Sequence, residues 1–151
     1  MTKIPQLIAA LESHIAQQAT VNTAVSASSV GWHIEHSLLV LNGVVQTLAA
    51  SNPADYKWSF SLPRLYVLTF GKMPRGKGKA PNVTIPRESS DAAALHSRAA
   101  KVSEKIALLS NLQPKHNFQH PYFGMLDAAQ TLHFLEIHTQ HHLDIIRDIL
   151  K

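Results

Sequence analysis

The chain has 151 residues, of which 45% are hydrophobic and 16% are charged, a composition typical of one globular domain with its own core. It contains no cysteine, which excludes disulfides, thiolate metal ligands, iron–sulfur clusters and a cysteine nucleophile. The formal net charge is +4, and no stretch of sequence approaches the ~20 apolar residues of a membrane span.

The N-terminal segment indicates an amphipathic helix rather than a secretory signal. Its apolar residues repeat at helical spacing, and Pro5 falls in the first turn, where proline is tolerated. Glu12 and His14 interrupt the apolar run that a signal peptide would need. We therefore expect a mature cytoplasmic protein in which residues 1–151 form a single domain.

A second helix is predicted to run to about Ala50. The polar, β-branched stretch 17–26 before it indicates a connection. Ser28 or Ser29 can cap the helix, because a serine hydroxyl accepts a hydrogen bond from a free backbone N–H of the first turn. No proline interrupts this window, and a proline in a helix interior costs ~3 kcal/mol.

The middle of the chain, residues 51–86, has no long periodic pattern. One short helix is predicted over residues 62–70, with Pro63 in its first turn and Gly71 just after its end. The glycine- and proline-rich loop that follows contains the basic segment 72–79. This region is therefore expected to consist mainly of loops.

The basic segment 72–79 lies in a longer stretch that has seven basic residues and no acidic residue between Asp55 and Glu88. Such a stretch can meet phosphate or the carboxylates of an anionic substrate, and the simpler interpretation is a solvated loop. Nucleic-acid modules usually interleave aromatic residues or present a recognition helix, and MPRGKGKAPNV offers neither. We expect no nucleic-acid partner and no membrane partner.

A third long helix is predicted to open with residues 88–91 (Glu-Ser-Ser-Asp) and to end at about Leu112. The connection 111–126 contains HPYFG, and no alternating strand pattern is present there or elsewhere in the sequence. The final helix begins at Asp127, which resembles a capping box with Gln130. The predicted fold is therefore all-α, a four-helix bundle with a short extra helix and long loops.

The final helix carries two histidines on its apolar face. His138 and His142 are four residues apart, so their Cβ atoms lie roughly 6 Å apart on one side of the helix, in line with Leu135, Ile145 and Ile149. Two imidazoles buried without a metal have four ring nitrogens that need hydrogen-bond partners, and each nitrogen left without one costs ~1–3 kcal/mol. The pair therefore indicates a metal site, which a third histidine would complete.

The third ligand is expected from the second helix, where His33 and His36 lie only about 60° apart around the axis. His33 has the more apolar neighbours on its face of the helix and is preferred, so the predicted ligands are His33, His138 and His142. His36 and His141 are predicted to lie next to this site, and no catalytic residue is assigned. All-imidazole ligation suits a divalent transition metal ion, with zinc or nickel favoured.

Several known metal and hydrolase motifs are absent. The residues between His138 and His142 include no glutamate, so the HExxH motif of zinc proteases is missing. The bundle di-iron pattern needs Glu-x-x-His twice together with further glutamates, and these helices do not supply it. The chain also lacks GxSxG, a phosphate-binding loop and a dinucleotide fingerprint.

Four segments carry a family resemblance: WHIEHSLLVL, GKMPRGKGKAP, HPYFGMLDAAQ and HTQHHLDIIRDIL. They resemble the DinB-like superfamily, and more narrowly a small branch of it with an HP-x-FG … H-x-x-H-H pattern. The resemblance implies a four-helix bundle, often dimeric, in which three histidines hold zinc, nickel or a similar ion. The family ligands correspond to His33, His138 and His142. Relatives include thiol-dependent S-transferases and proteins described as metal-dependent hydrolases.

Two functions from different classes remain open. The first is a metalloenzyme with an open metal position, either a hydrolase or an S-transferase, whose partner is a small-molecule substrate such as a low-molecular-weight thiol from solution. The second is a non-catalytic, homodimeric bundle with a structural metal or a polar histidine core, in which His36 would be a fourth ligand. In the first case we expect Trp58, Tyr66 and Tyr122 to line the pocket, with Trp32 beneath the metal.

Overall fold

The structure is a computed structural model that describes residues 2–76, 78–86 and 90–151. These residues form five α-helices and a small two-stranded sheet. The helices are α1 (Ile4–Glu12), α2 (Val30–Ala50), α3 (Leu62–Phe70), α4 (Ala92–Lys105) and α5 (Ala128–Ile149), and the strands are β1 (Asn117–His120) and β2 (Gly124–Asp127). Short 3-10 turns cover residues 15–17, 53–55, 82–84 and 106–111.

Local capping signals place most of the helix ends. The Ser29 hydroxyl accepts a hydrogen bond from the backbone N–H of Trp32 at 3.2 Å and begins α2. Asp127 and Gln130 form both halves of a capping box at the start of α5. The short helix α3 has the predicted bounds and ends at Gly71, whose φ of 63° is left-handed.

The third long helix is shorter than predicted. It ends at Lys105 instead of continuing to about Leu112, because the chain tightens into a 3-10 turn over residues 106–111, a common way for an α-helix to end. Asp91 is its N-cap and accepts a hydrogen bond from the N–H of Ala94 at 2.8 Å. Residues 88 and 89 of the predicted opening lie outside the described residues.

The prediction that the chain contains no strand was wrong. Residues 117–120 pair antiparallel with residues 124–127, and the HPYFG segment supplies the turn of this hairpin. Each strand has only four residues, too few to show an alternating pattern in the sequence. Gly124, with a φ of 71°, takes the left-handed conformation that the turn requires. The protein is therefore mostly helical with a small sheet.

Four of the helices enclose one hydrophobic core. Helix α2 packs against α4 and α5, and α1 packs against the same two helices. The core draws on residues from Ile4 near the N-terminus to Ile149 at the end of α5. None of the described helices is long and apolar enough to cross a membrane. The contact between α2 and α5 is the one that positions the histidines.

Candidate metal centre

Helices α2 and α5 bring four histidines into one buried cluster. His33 and His36 lie in the first two turns of α2, and His138 and His142 lie in the middle of α5. All four are nearly inaccessible to solvent, with exposed fractions between 4% and 8%. The two predicted histidine pairs, which are about a hundred residues apart in the sequence, therefore meet in the fold.

Three of these side chains are close enough to share one cation. His36, His138 and His142 each offer a ligand nitrogen, and these nitrogens lie within 4.8 Å of one another. The Nε2 atoms of His36 and His138 face each other at 3.3 Å. Two nitrogens bound to one tetrahedral zinc ion at 2.0–2.1 Å are separated by roughly 3.3–3.4 Å. The spacing therefore matches that of two ligands on a single ion.

A backbone carbonyl fixes the orientation of His36. Its Nδ1 atom lies 2.7 Å from the carbonyl oxygen of Thr84, which can only accept a hydrogen bond. Nδ1 of His36 must therefore carry the proton, and Nε2 presents its lone pair towards His138. A histidine ligand commonly has this arrangement, in which the non-ligating N–H donates to a carbonyl group.

His33 lies beside this group rather than within it. Its Nδ1 atom is 2.9 Å from Nδ1 of His142, and its Nε2 atom is 3.0 Å from the hydroxyl of Ser26. Both ring nitrogens of His33 thus have hydrogen-bond partners. The geometric group of three differs from the predicted ligand set at this one position, with His36 taking the place of His33.

Burial keeps the cluster uncharged. Desolvation lowers the pKa of His33 from 6.5 to about 4, with smaller contributions from the neighbouring His36, His141 and Arg75. It lowers the pKa of His36 as well, and it holds the pKa values of His138 and His142 well below the usual range. At neutral pH all four imidazoles are therefore in the neutral form that binds a metal ion.

One nitrogen of the cluster has no partner among the described residues. Nδ1 of His138 is buried and makes no hydrogen bond to the protein, while Nε2 of the same ring meets another Nε2 atom. A buried polar atom without a partner costs ~1–3 kcal/mol. A cation placed between Nε2 of His36 and Nε2 of His138 would bind both nitrogens, so the residues present fit a divalent transition metal ion, and Nδ1 of His138 stays without a partner among the described residues.

A family model matches most of the chain. The family model of the DinB superfamily matches residues 4–146, which includes all five helices up to Ile146 in α5. The chain belongs to the DinB superfamily. Searches of curated proteins and of solved structures give no significant match.

Aromatic rings surround the histidines of this DinB-superfamily protein. Trp32 stacks on His36 with ring centroids 5.0 Å apart and meets His33 edge-on at 5.1 Å, so it lies against the histidine cluster. Trp58 and Tyr66, which were predicted to line the pocket, are instead 68% and 52% exposed. On α3, Arg64 and Val67 are the buried residues, so Tyr66 lies on the outer side of the helix.

The hairpin contributes a histidine that the sequence analysis did not single out. His120 is buried, and its Nδ1 atom accepts hydrogen bonds from the backbone N–H groups of Tyr122 and Phe123 at 3.1 and 3.2 Å. Its ring stacks on Phe123 and packs edge-on against Phe134, which in turn contacts His138. Desolvation lowers the pKa of His120 from 6.5 to about 4. The HPYFG motif is the signal that could have identified it.

His141 lies at the edge of the cluster. Its ring is half-buried and meets His142 edge-on at 5.2 Å. It lines a cavity of about 170 Å³ together with Lys72 and Arg75 of the basic segment. Desolvation and the nearby charge of Arg75 lower the pKa of His141. Lys77, also part of the basic segment, lies outside the described residues.

Proposed function

We propose that this protein is a DinB-like four-helix bundle that binds one divalent transition metal ion through His36, His138 and His142. The observation that carries the proposal is the 3.3 Å approach of two buried Nε2 atoms, those of His36 and His138, with the ring of His36 held by a carbonyl group. Neutral, buried imidazoles from two helices are the donors that zinc and nickel accept.

Hydrogen bonding gives His33 a different role in this proposal. If His142 binds the ion through Nε2, its Nδ1–H can donate to Nδ1 of His33 at 2.9 Å, and Nε2–H of His33 can donate to Ser26 at 3.0 Å. Every nitrogen of His33 and His142 then has a partner. His33 is thus a positioning residue for His142, whereas ligation by His33 would break this chain of hydrogen bonds.

The bound ion would serve a reaction on a small molecule, either hydrolysis or transfer of a low-molecular-weight thiol to an electrophile. Three protein ligands leave one position on the ion open for water or substrate. The ion would lower the pKa of a water molecule or thiol bound at that position. The thiol must come from solution because the chain has no cysteine. Lys72 lines the cavity beside His141 and can meet an anionic group of a substrate, whereas Arg75 in the same lining is paired with Asp148 and the carboxylate of Asp144 also faces the cavity.

The alternative is a non-catalytic bundle in which the metal is structural. A structural site is usually closed by a fourth protein ligand. His33 is the candidate for that ligand because its Nδ1 atom lies 2.9 Å from Nδ1 of His142. The proposal of an open site depends on His33 remaining hydrogen-bonded to Ser26 and His142. The number of protein ligands therefore distinguishes the two functions.

Metal-binding variants test the ligand assignment. We expect the untagged protein to bind one equivalent of zinc or nickel, measured by elemental analysis after dialysis and by calorimetric titration. His138→Ala should abolish stoichiometric binding, and His36→Ala should do the same. His33→Ala should weaken binding by about 10–100-fold without abolishing it, as removal of a partner that orients a ligand usually does.

The exposed His96 provides a matched control, since its side chain is 59% exposed and lies 3.6 Å from Glu12, outside the group of three histidines. His96→Ala should bind metal as the unmodified protein does. Full-affinity binding in His138→Ala would refute the site. Binding that survives His36→Ala but is abolished in His33→Ala would instead support the ligand set His33, His138 and His142.

Two generic assays separate the reactions. With 4-nitrophenyl acetate as substrate, a hydrolase should show turnover that a chelator removes and added zinc or nickel restores. With 1-chloro-2,4-dinitrobenzene and free cysteine, an S-transferase should show a metal-dependent rate that rises with the thiol concentration. Absence of metal-dependent turnover in both assays, together with a fourth protein ligand, would support the structural alternative.

A further inference from the structure

An exposed apolar patch covers the outer side of α3 and the segment before it. Six large apolar side chains of residues 58–70 are between 52% and 69% exposed to solvent, and together they are called the α3 patch. They are Trp58, Phe60, Leu62, Leu65, Tyr66 and Phe70. They present on the order of 700 Å², since an aromatic side chain offers roughly 150–250 Å². The largest apolar patch of a typical monomer is about 300–600 Å², and larger patches mark surfaces that bind a protein or a membrane.

Contacts beneath the α3 patch hold its apolar face towards solvent. Arg64, on the opposite face of α3, is buried and donates hydrogen bonds to the backbone carbonyls of Phe123 and Met125 in the hairpin. His133 of α5 donates through Nε2 to the carbonyl oxygen of Leu68 at 3.1 Å. An amphipathic helix packed on a core normally turns its apolar face inwards. The reversed orientation of α3 is thus fixed by the contacts of its inner face.

Exposed lysines flank the α3 patch at both ends. Lys57 comes directly before its first residue, and Lys72 comes two residues after its last. The sequence has no acidic residue from position 56 to position 87. Arg75, slightly further along, is already paired with Asp148. The segments next to the patch therefore carry positive charge that no neighbouring acidic residue in the sequence offsets.

The hairpin turn brings a third lysine to the same side of the molecule. Gly124 approaches Ser59 so closely that a Cβ atom on the glycine would lie 3.1 Å from the serine hydroxyl. The hydroxyl of Tyr122, in the same turn, lies 3.2 Å from the backbone nitrogen of Lys79 and 3.3 Å from its carbonyl oxygen. The turn thus contacts the segment that leads into α3 and also the loop that carries the exposed Lys79.

These lysines favour an anionic partner for the α3 patch. Two identical patches that met across a two-fold axis would bring the same cations together, and like charges at an interface repel. An anionic membrane surface attracts them instead, and each basic residue near it contributes roughly 5-fold in affinity. Tryptophan and tyrosine are also enriched where a membrane meets water. We propose that the α3 patch docks the protein onto the surface of an anionic phospholipid bilayer.

The proposed contact is peripheral. The expectation of no membrane partner followed from the lack of a spanning segment, and none of the described helices is able to span a membrane. A helix that lies in the plane of the membrane surface needs no spanning length, because its apolar face enters only about 5–10 Å into the boundary between headgroups and acyl chains. The nine residues of α3 are therefore sufficient for such a contact.

Co-sedimentation of the full chain with phospholipid vesicles tests the docking surface. Vesicles of phosphatidylglycerol and phosphatidylcholine should bind the chain about 100-fold more tightly than pure phosphatidylcholine vesicles, since three lysines contribute roughly 5-fold each. Lys57→Gln with Lys72→Gln should weaken binding to the anionic vesicles by about 25-fold, as two such contributions are lost. Leu65→Ser with Phe70→Ser should weaken it by more than about 50-fold, because apolar area that enters the membrane is removed.

Two single variants outside the patch are matched controls. Lys101 is exposed on α4, and Leu108 is 42% exposed in the turn that follows it. Lys101→Gln and Leu108→Ser should both bind as the unmodified chain does. No binding of the unmodified chain at about 1 mM lipid, equal affinity for the two kinds of vesicle, or full binding by the apolar double variant would overturn the proposal. A dimer in sedimentation velocity that the same double variant dissociates would assign the patch to a second copy and would overturn it as well.

Tryptophan quenching gives a second readout that keeps the apolar surface. The chain has two tryptophans, of which Trp58 is 68% exposed in the α3 patch and Trp32 stacks on His36. Anionic vesicles that contain brominated phosphatidylcholine should quench the emission of Trp58, measured alone in Trp32→Phe. They should leave the emission of Trp32, measured alone in Trp58→Phe, nearly unchanged. Absence of quenching in Trp32→Phe, or equal quenching in the two variants, would refute docking through the α3 patch.

Discussion

Acidification of the metal-free protein should unfold it, and His120 allows the effect to be calculated. Desolvation lowers the pKa of His120 from 6.5 to about 4. At pH 7 the imidazole is neutral in both the folded and the unfolded chain, so it contributes no pH dependence. As the pH falls below 6.5 the unfolded chain takes up a proton that the folded chain does not, and the free energy of unfolding decreases. The decrease ends near pH 4, where both states are protonated.

The magnitude follows from the two pKa values. The difference between 6.5 and about 4 corresponds to on the order of 3 kcal/mol, since one pKa unit equals ~1.4 kcal/mol. His33, whose pKa is also about 4, contributes a similar amount, and His138 and His142 act in the same direction. A domain is typically stable by about 5–15 kcal/mol. The metal-free protein should therefore lose most of its stability between pH 6.5 and pH 4.

Urea unfolding followed by circular dichroism, in the presence of a chelator, measures this effect. The urea midpoint should fall steadily from pH 6.5 to pH 4. His120→Gln, whose side-chain oxygen can still accept the backbone hydrogen bonds of the turn, should reduce the slope by up to one proton, or ~1.4 kcal/mol per pH unit. His96→Gln removes an exposed histidine and serves as the control. A urea midpoint that is equal at pH 4.5 and pH 7 would refute the reasoning.

Two further substitutions test local features of the fold. Arg64→Leu should lower the free energy of unfolding by about 3 kcal/mol in urea titrations, because buried backbone carbonyls lose their donor. Arg147, which pairs with Asp144 at the surface, is the control, and Arg147→Leu should lower the free energy of unfolding by less than 1 kcal/mol. Equal costs for the two arginines would contradict the buried role of Arg64. Asp127→Ala should lower the free energy of unfolding by about 1 kcal/mol and lower the melting temperature. Asp127→Asn should retain most of the stability because asparagine can still cap the helix. An unchanged melting temperature in Asp127→Ala would show that the capping box contributes nothing.

The parts of the fold that the sequence predicts correctly are those set by local physics. The caps Ser29 and Asp127 use side chains that bond the first turn of their own helix, and Pro63 and Gly71 delimit α3 within nine residues. The spacing of four residues between His138 and His142 places both on the buried face of α5 by helix geometry alone. None of these features depends on the rest of the chain.

The parts that could not be predicted depend on tertiary contacts. The rotation of α2 against α5 decides whether His33 or His36 approaches His138, and about 60° of helix rotation separates the two. The hairpin pairs two four-residue segments across a turn, and its strands are too short to show a period. The outward direction of Tyr66 follows from Arg64, which takes the inner side of α3 to reach carbonyls that are distant in sequence.

The most direct test of the proposed metal centre is a crystal structure of the zinc-loaded protein with anomalous data at the zinc edge. We expect one anomalous peak per chain, bound by nitrogens of His36, His138 and His142, with a further position that no protein atom fills. His33 should remain hydrogen-bonded between Ser26 and His142. Absence of a peak among these histidines, or a zinc ion closed by His33 as a fourth ligand, would contradict the proposal of an open three-histidine site.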